Sequence, residues 1–566
     1  VAIDWTKYMR RPSLRTTIAL AAGLIWASAF PLLNFPIGAW IAPGLLLLTG
    51  LGTDPRAAFR RGYLAGLVFY LVSLYWLLHI PFPIGNISAW LALSGFCALY
   101  PATWMWVCWK TCPIQFDSAT STNGLGIGGG PIRLSGNVRQ AADQLFNTSW
   151  VTRQVWILSC AISFTALEFT RGWFLTGFPW NFLGASQFRA IPLIQIAEFT
   201  GVQGVTFIVV WVSLSVAVGA LLVVARPQIR FAWKNEIAPA LLVMLILVSW
   251  GVTKTMRPVQ ASDRNITLAL VQPSIPQNLI FDADESTNRF RQIMELSREA
   301  LATDPDVLVW PEASLPVSLS KEFFAEIMEL ITTNSTPFIF GGLDWEEEKP
   351  TDGERKFRPY NSAFYFDEHG GHTGTYRKQR LVIFGEYTPF AKWFPLLGKI
   401  FPVGVGFGSG ELPEPFIVGQ QNARIAVNIC FEDNFADVLR DEVKSDTDFV
   451  LNLTNNGWFS ESAAQWQHAA NAIFRAVENR VSMVRCTNNG LTCWIDEYGR
   501  LREIFRDEND SIYGRGIKTI TLPLLPSGTE RQTTLYHRYG DWFGWMCSAI
   551  TVLAILRSRF KKLPTE

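Results

Sequence analysis

Residue types able to attack, accept a proton and stabilise an oxyanion occur on three segments: a thiol, a carboxylate and an amine, each beside a short apolar or aromatic run. Cys430 ends the run Ile425-Ala426-Val427-Asn428-Ile429 and precedes Phe431-Glu432-Asp433. That pattern predicts a buried strand followed by a turn, a position that exposes a nucleophilic sulfur. Glu312 follows Val307-Leu308-Val309-Trp310-Pro311 in the same topological position, and Lys378 closes Tyr376-Arg377-Lys378 shortly before a Gly385-Glu386-Tyr387 turn. A free thiol has a pKa of about 8.5, so a neighbouring base and a cation are needed to raise its nucleophilicity at neutral pH. Taken singly, each residue has a plain structural explanation: a core cysteine, a Pro-Glu turn, a solvated lysine.

These residues fall in a segment with a recognisable texture. Strands are expected at Ile266 to Gln272, Val307 to Trp310, Phe338 to Gly341, Ala423 to Ile429 and Phe449 to Leu453. They alternate with stretches of helical length such as Thr287 to Ala302 and Gln465 to Asn479. This is the rhythm of an α/β or layered α+β domain.

The rest of the chain is different. Of 566 residues 49% are hydrophobic and 17% charged, against roughly a quarter charged in an ordinary soluble protein. A net charge of +1 excludes a global basic field for nucleic acid. No Asp, Glu, Lys or Arg occurs from Thr16 to Thr53 or from Gly62 to Trp109. A helix needs about 20 apolar residues to cross the hydrocarbon, so each stretch accommodates two crossings. The first would turn near Pro31 and Pro36, the second at Pro81-Phe82-Pro83-Ile84-Gly85-Asn86. Further spans are expected near Val151 to Phe169, Phe199 to Ala225, Ile237 to Val252 and Trp542 to Leu556, about eight in all. Lys7, Arg10, Arg11 and Arg15 precede an apolar run that continues into further spans, unlike a cleaved signal.

If the spans alternate, one side collects Arg10, Arg11, Arg15, Arg56, Arg60, Arg61, Lys110, Arg133, Arg139 and Arg153. It also receives Arg226, Arg230, Lys234, Arg557, Arg559, Lys561 and Lys562. The positive-inside rule makes that side the cytoplasm. The organisation expected is a membrane domain over 1–255 with seven helices, an extracytoplasmic domain over 256–539, and a last span with a basic cytoplasmic tail over 540–566. Residues 113–148, rich in Gly, Ser, Thr and Asn, read as a flexible cytoplasmic insertion.

Trp310-Pro311-Glu312, Tyr376-Arg377-Lys378 with Phe384-Gly385-Glu386-Tyr387-Thr388-Pro389, and Cys430-Phe431-Glu432 resemble the Glu-Lys-Cys signature of the carbon–nitrogen hydrolase (nitrilase) superfamily. More narrowly, the chain resembles the apolipoprotein N-acyltransferase family. That likeness rests on Ile275-Pro276-Gln277, Asn455-Asn456-Gly457-Trp458-Phe459, Trp466-Gln467-His468, Thr487-Asn488-Asn489-Gly490 and Gly177-Phe178-Pro179-Trp180-Asn181. The resemblance implies a four-layer αββα nitrilase-like sandwich joined to a polytopic helical membrane domain in a bacterial inner membrane, with the sandwich on the periplasmic side. It implies transfer of an acyl chain from a phospholipid to the α-amino group of a diacylglyceryl-cysteine apolipoprotein. By position, Cys430 is the nucleophile, Glu312 the general base and Lys378 the oxyanion cation. Glu386, Glu432 and Phe431 support the active site, and Phe281 and Trp458 belong to substrate binding. Phe431 stands where the family commonly has Tyr, Phe281 where Trp is frequent, and Cys486 where Ser is usual.

Those roles fit the chemistry. Attack on an ester builds negative charge on oxygen, which the Lys378 ammonium and the Phe431 backbone N–H would stabilise. A thioester would remain, and Glu312 would take a proton from the incoming amine in a second, ping-pong step. Both substrates carry long acyl chains, and each CH₂ drawn from hydrocarbon costs about 0.8 kcal/mol, so the site should open near the outer leaflet. Glu168 and Arg171 would meet lipid headgroups or the exported domain there, or lock a helix end as an ion pair; Trp173 and Trp180 read as interface anchors. Two rivals stay open: a membrane-tethered amidase that passes the acyl group to water, and a non-enzymatic membrane binding protein. No metal, nucleotide cofactor or nucleic acid is expected, and nothing in the chain demands a partner subunit, so a monomer is expected. A Cys486–Cys493 bridge is left open by the sequence.

Overall fold

The computed structural model describes residues 14–81, 85–114, 136–225, 231, 233–256, 262–280, 282–315, 320–348, 356–389 and 406–560. Lys7, Arg10, Arg11, Gly124 to Gly130, Arg133, Arg226, Arg230, Phe281, Lys561, Lys562 and the Phe82-Pro83-Ile84 part of the expected turn lie outside the described residues. The chain divides into two compact units, one of Val1–Leu78, Phe82–Lys254 and Asp541–Glu566, the other of His79–Pro81 and Thr255–Gly540.

The first unit is helical. Its helices include Leu14–Ser28, Ile37–Gly50, Pro55–Ser73, Trp150–Trp173, Val202–Ala225, Lys234–Thr255 and Trp542–Phe560. Among the described residues three helices are long and apolar enough to cross a membrane: Gly85–Thr111, Val202–Ala225 and Lys234–Thr255. Val202–Ala225 is largely buried, whereas Lys234–Thr255 exposes Leu241, Leu242, Leu245 and Ile246. Helices approach closely through small residues: a Cβ on Gly44 would stand 2.6 Å from the Ser213 carbonyl oxygen, while the Gly44 amide donates to Ser213 Oγ at 3.0 Å.

Two expectations in this unit need correction. The segment 113–148 is not irregular throughout, because Gly136–Asn147 is a helix. Ala141, Ala142 and Leu145 fall on one face at helical spacing and are buried. Of the readings of Glu168 and Arg171, the headgroup contact is corrected and the ion pair that locks a helix end is borne out, since both side chains are buried and stand 3.9 Å apart. Arg171 donates to the carbonyls of Phe178 at 2.8 Å and Trp180 at 2.7 Å, and Glu168 accepts from the Leu183 amide and the Thr206 hydroxyl, both at 2.7 Å. Together they clamp the Gly177 to Asn181 loop onto the helix end. Trp180 is part of that buried cluster, against Trp76 at 5.0 Å, while Trp173 is exposed.

The second unit holds two six-stranded sheets. One has the order β12-β1-β2-β3-β4-β5, built from β1 (Asn265–Gln272), β2 (Val307–Val309), β3 (Phe338–Glu348), β4 (Lys356–Phe366), β5 (His372–Arg377) and β12 (Gly516–Pro523). The other runs β11-β10-β9-β8-β7-β6, from β6 (Phe416–Val418), β7 (Ala423–Ile429), β8 (Phe449–Thr454), β9 (Ser482–Thr487), β10 (Cys493–Ile495) and β11 (Leu501–Ile504). Each sheet has a parallel trio, β1-β2-β3 or β7-β8-β9, flanked by antiparallel strands.

Period-two patterning sets the layers. Ile266, Leu268 and Leu270 of β1 pack in one core with Ile425, Val427 and Ile429 of β7 and Phe449, Leu451 and Leu453 of β8. Ala269 and Val271 point the other way, against Phe290, Ile293 and Met294 of the helix Ser286–Leu301. Helices thus cover the outer faces and the two sheets share the inner core, as in a nitrilase-like sandwich. Cys486 and Cys493 are free thiols, buried on β9 and β10.

Candidate active site

Parallel strands end together, and residues just past their carboxyl ends gather at one edge of a sheet. Glu312 follows β2, Cys430 follows β7 and Asn455 follows β8. Lys378 follows β5, which runs parallel to β3 because two antiparallel steps separate them. Four segments distant in sequence are thereby delivered to one place.

Glu312 is buried and held on both oxygens. Its Oε1 accepts from Asn361 Nδ2 at 2.8 Å and faces Lys378 Nζ at 3.5 Å, and its Oε2 accepts the Asn455 backbone amide at 2.8 Å. The chain turns sharply behind it, with Ala313 at φ 53°. Gly341 on β3 permits this packing, since a Cβ there would lie 2.6 Å from the Glu312 Cα.

Lys378 is buried, with Nζ 2.9 Å from Glu386 Oε1. Burial acts against its charge, but Glu386 and Glu312 outweigh it and raise the ammonium pKa above its ordinary value. Glu386 also accepts from Asn361 Nδ2 at 3.0 Å and from the Val382 amide at 2.8 Å. Asn361 therefore bridges the two carboxylates that flank the lysine.

Cys430 opens the short 3-10 turn Cys430–Asn434 and has φ 56°. A non-glycine residue in this left-handed region carries a cost of about 1–2 kcal/mol, which surrounding contacts must hold. Its thiol faces Glu312, Lys378 and Thr454. Burial first, and then the Glu312 carboxylate, push the thiol up to about 12, while the Lys378 ammonium opposes them. At neutral pH the sulfur thus keeps its proton until a base removes it. Phe431 is second in the same turn, where backbone amides have no partner within the helical repeat; its ring packs edge-on against Phe435 at 4.9 Å.

Glu432 lies behind this triangle, not inside it. Its Oε1 accepts the amides of Gln379 at 2.7 Å and Arg380 at 2.9 Å, and its Oε2 accepts the Ile429 amide and the Tyr376 hydroxyl, both at 2.7 Å. One carboxylate thereby ties the segment after Lys378 to the turn that carries Cys430. Trp458 is exposed in the turn Asn456–Phe459, which begins next to Asn455. Phe281, the other residue expected in substrate binding, lies outside the described residues.

Sequence reasoning gave no role to Asn361, because β4 was not expected, nor to the Asn455 amide, because a backbone donor leaves no residue-type signal. Among the described residues no group of three His, Cys, Asp or Glu side chains is arranged to hold a metal.

Residues 22–215 match the family model of the apolipoprotein N-acyltransferase N-terminal domain, and residues 267–515 that of carbon-nitrogen hydrolase. A Geobacter metallireducens protein named apolipoprotein N-acyltransferase is 30% identical over 558 residues, covering 96% of this chain and 96% of its own. A Rhodopseudomonas palustris protein of the same name is 28% identical over 564 residues, covering 96% and 95%. Among solved structures, an amidase from Nesterenkonia is 16% identical with a TM-score of 0.32, covering 47% of this chain and 92% of its own.

Proposed function

The chain belongs to the apolipoprotein N-acyltransferase family, and from that premise we propose that it moves an acyl chain from a phospholipid, through a Cys430 thioester, to the α-amino group of a diacylglyceryl-cysteine lipoprotein. The observation that carries the catalytic assignment is the convergence of the buried Glu312 and Lys378 on the partly exposed Cys430 thiol.

Glu312 takes the thiol proton as the sulfur attacks the ester carbonyl carbon. Negative charge gathers on the carbonyl oxygen, where the Lys378 ammonium and the Phe431 amide stabilise it. The C–O bond breaks, the lysophospholipid oxygen receives the proton from Glu312, and the thioester remains. The acceptor amine then attacks that carbon, Glu312 takes an amine proton, the C–S bond breaks, and the thiol regains its proton. Glu386 keeps the lysine charged and placed.

The membrane belongs to this reading. Eight crossings, with basic residues on the cytoplasmic side, put the second unit on the periplasmic face of the inner membrane, where both lipid substrates are met without leaving hydrocarbon. Phe281 and Trp458 contribute aromatic surface for the acyl chains, and the enzyme works as a monomer.

Purified protein in detergent is incubated with a phospholipid labelled in its acyl chain, beside Cys430→Ala, and then given a diacylglyceryl-cysteine peptide. A hydroxylamine-labile label on the wild type alone that moves to the peptide amine is the expected result. Release only as free fatty acid would make the protein a hydrolase. No label on folded protein would remove Cys430 from the mechanism.

A further inference from the structure

Behind the nucleophile turn lies a buried imidazole with no part in the mechanism above. His468 sits on the helix Ala464–Asn479 and is 1% exposed. Its Nε2 is 2.6 Å from Asp433 Oδ1, and its Nδ1 is 3.0 Å from Asn456 Oδ1. The ring also reaches the backbone carbonyl of Cys430.

The hydrogen-bond inventory around this ring is restrictive. Asn456 Nδ2 donates to the Gly490 carbonyl at 2.9 Å, which fixes its oxygen toward the imidazole. Asp433 also pairs with Arg485, fully buried, so it is held as a carboxylate. Both ring nitrogens therefore face acceptors, and a neutral imidazole has only one N–H to offer. A bare nitrogen would confront an oxygen at 2.6 or 3.0 Å.

We propose that His468 is a positioning residue for the nucleophile, held as an imidazolium that keeps the Cys430 turn in its left-handed conformation and places positive charge behind the sulfur. This rests on the reading of Cys430 as the nucleophile. Two effects compete at the ring. Burial opposes the charge, and even with the Cys430 carbonyl and the Glu312 carboxylate favouring it the balance draws the imidazole down to about 4. The Asp433 carboxylate at 2.6 Å and the Asn456 oxygen at 3.0 Å stand directly against the two ring nitrogens and favour the charge, and these contacts prevail. With Arg485 also facing Cys430, one carboxylate, Asp433, balances two cations. The surplus positive charge opposes Glu312 and so raises the small thiolate fraction of a thiol that burial and Glu312 keep largely protonated.

The test is the rate at which iodoacetamide alkylates Cys430, located by peptide mapping, from about pH 7 to 9. In His468→Gln the thiolate fraction falls, and alkylation is expected to slow about tenfold at every pH, a shift of about one unit in thiol pKa. An unchanged rate profile in folded variant protein would overturn the proposal. If the variant does not fold, ¹⁵N-histidine NMR on protein with the other histidines replaced by Gln reads the ring directly. Two protonated nitrogens at neutral pH are expected, and one bare nitrogen would overturn the imidazolium. Alkylation does not require lipid or acceptor, so failure of this proposal is distinct from failure of the acyl-transfer assay.

Discussion

Lys378 stands closer to Glu386, at 2.9 Å, than to Glu312, at 3.5 Å. The cation is thus anchored by Glu386, and Glu312, the base of the proposed mechanism, is left to face the thiol. In Glu386→Gln the ammonium should relax onto Glu312 and compromise both its roles. Thioester formation is expected to fall about 100-fold, as for a small misplacement of a reacting group. Rapid-quench measurement of acyl-enzyme on folded variant protein checks this, and a rate within a factor of two of wild type would show that Glu386 is dispensable.

Glu312 acts on Cys430 in two opposed ways, and one substitution separates them. As a carboxylate it raises the thiol pKa, so Glu312→Gln should lower that pKa and move the pH profile of iodoacetamide alkylation toward lower pH. In the proposed mechanism it is also the base that removes the proton during acylation, so lipid-dependent thioester formation should fall about 10²- to 10⁴-fold. Opposite movement of the two rates is the expected signature.

Tyr376 supplies one hydroxyl proton but its oxygen meets two carboxyl groups, Glu432 at 2.7 Å and Glu442 at 2.9 Å. Glu432 is occupied by three backbone amides, Glu442 Oε1 accepts from Gln379 Nε2 at 2.9 Å, and burial first, then the Glu432 carboxylate, raise the Glu442 pKa well above the ordinary 4.5. A carboxyl group raised on folding stabilises the native state fully below its unfolded pKa, and that contribution is lost as pH rises through the folded value. Glu442→Gln mimics the protonated acid. Urea unfolding at about pH 5 and pH 8 should show a smaller loss of stability at the higher pH in the variant; equal losses would mean Glu442 is ionised.

Gly341 touches no reacting atom, yet its missing side chain is filled by the Glu312 backbone. Gly341→Ala should shift Glu312 and lower thioester formation by about 100-fold, while Cys430 stays open to iodoacetamide. Loss of both reactions would instead indicate a collapsed sandwich, which circular dichroism would report.

Residue type and spacing along the chain determined a great deal. Charge-free stretches longer than a bilayer crossing separate one unit from the other, because charged groups are costly in hydrocarbon. Buried strands such as Ala423–Ile429 and Phe449–Thr454 are legible because a strand buried on both faces is a short continuous apolar run. The identities of Cys430, Glu312 and Lys378 stood out because few residue types can attack, accept a proton or hold an anion. Strands such as Lys356–Phe366, with Arg358 and Asn361 among its residues, gave no clear signal, and Asn361 was overlooked with them.

Tertiary structure decided the rest. Pairings between residues far apart in sequence, such as Asn455 with Glu312, Tyr376 with Glu432 and His468 with Asp433, depend on sheet order and on which carboxyl ends meet. No local pattern encodes them. The same holds for Glu168 and Arg171, whose residue types fit a headgroup site and a buried clamp equally well until Phe178, Trp180 and Leu183 are folded around them. A sequence names the groups able to react, and packing fixes their distances, their shielding from water and the charges that face them.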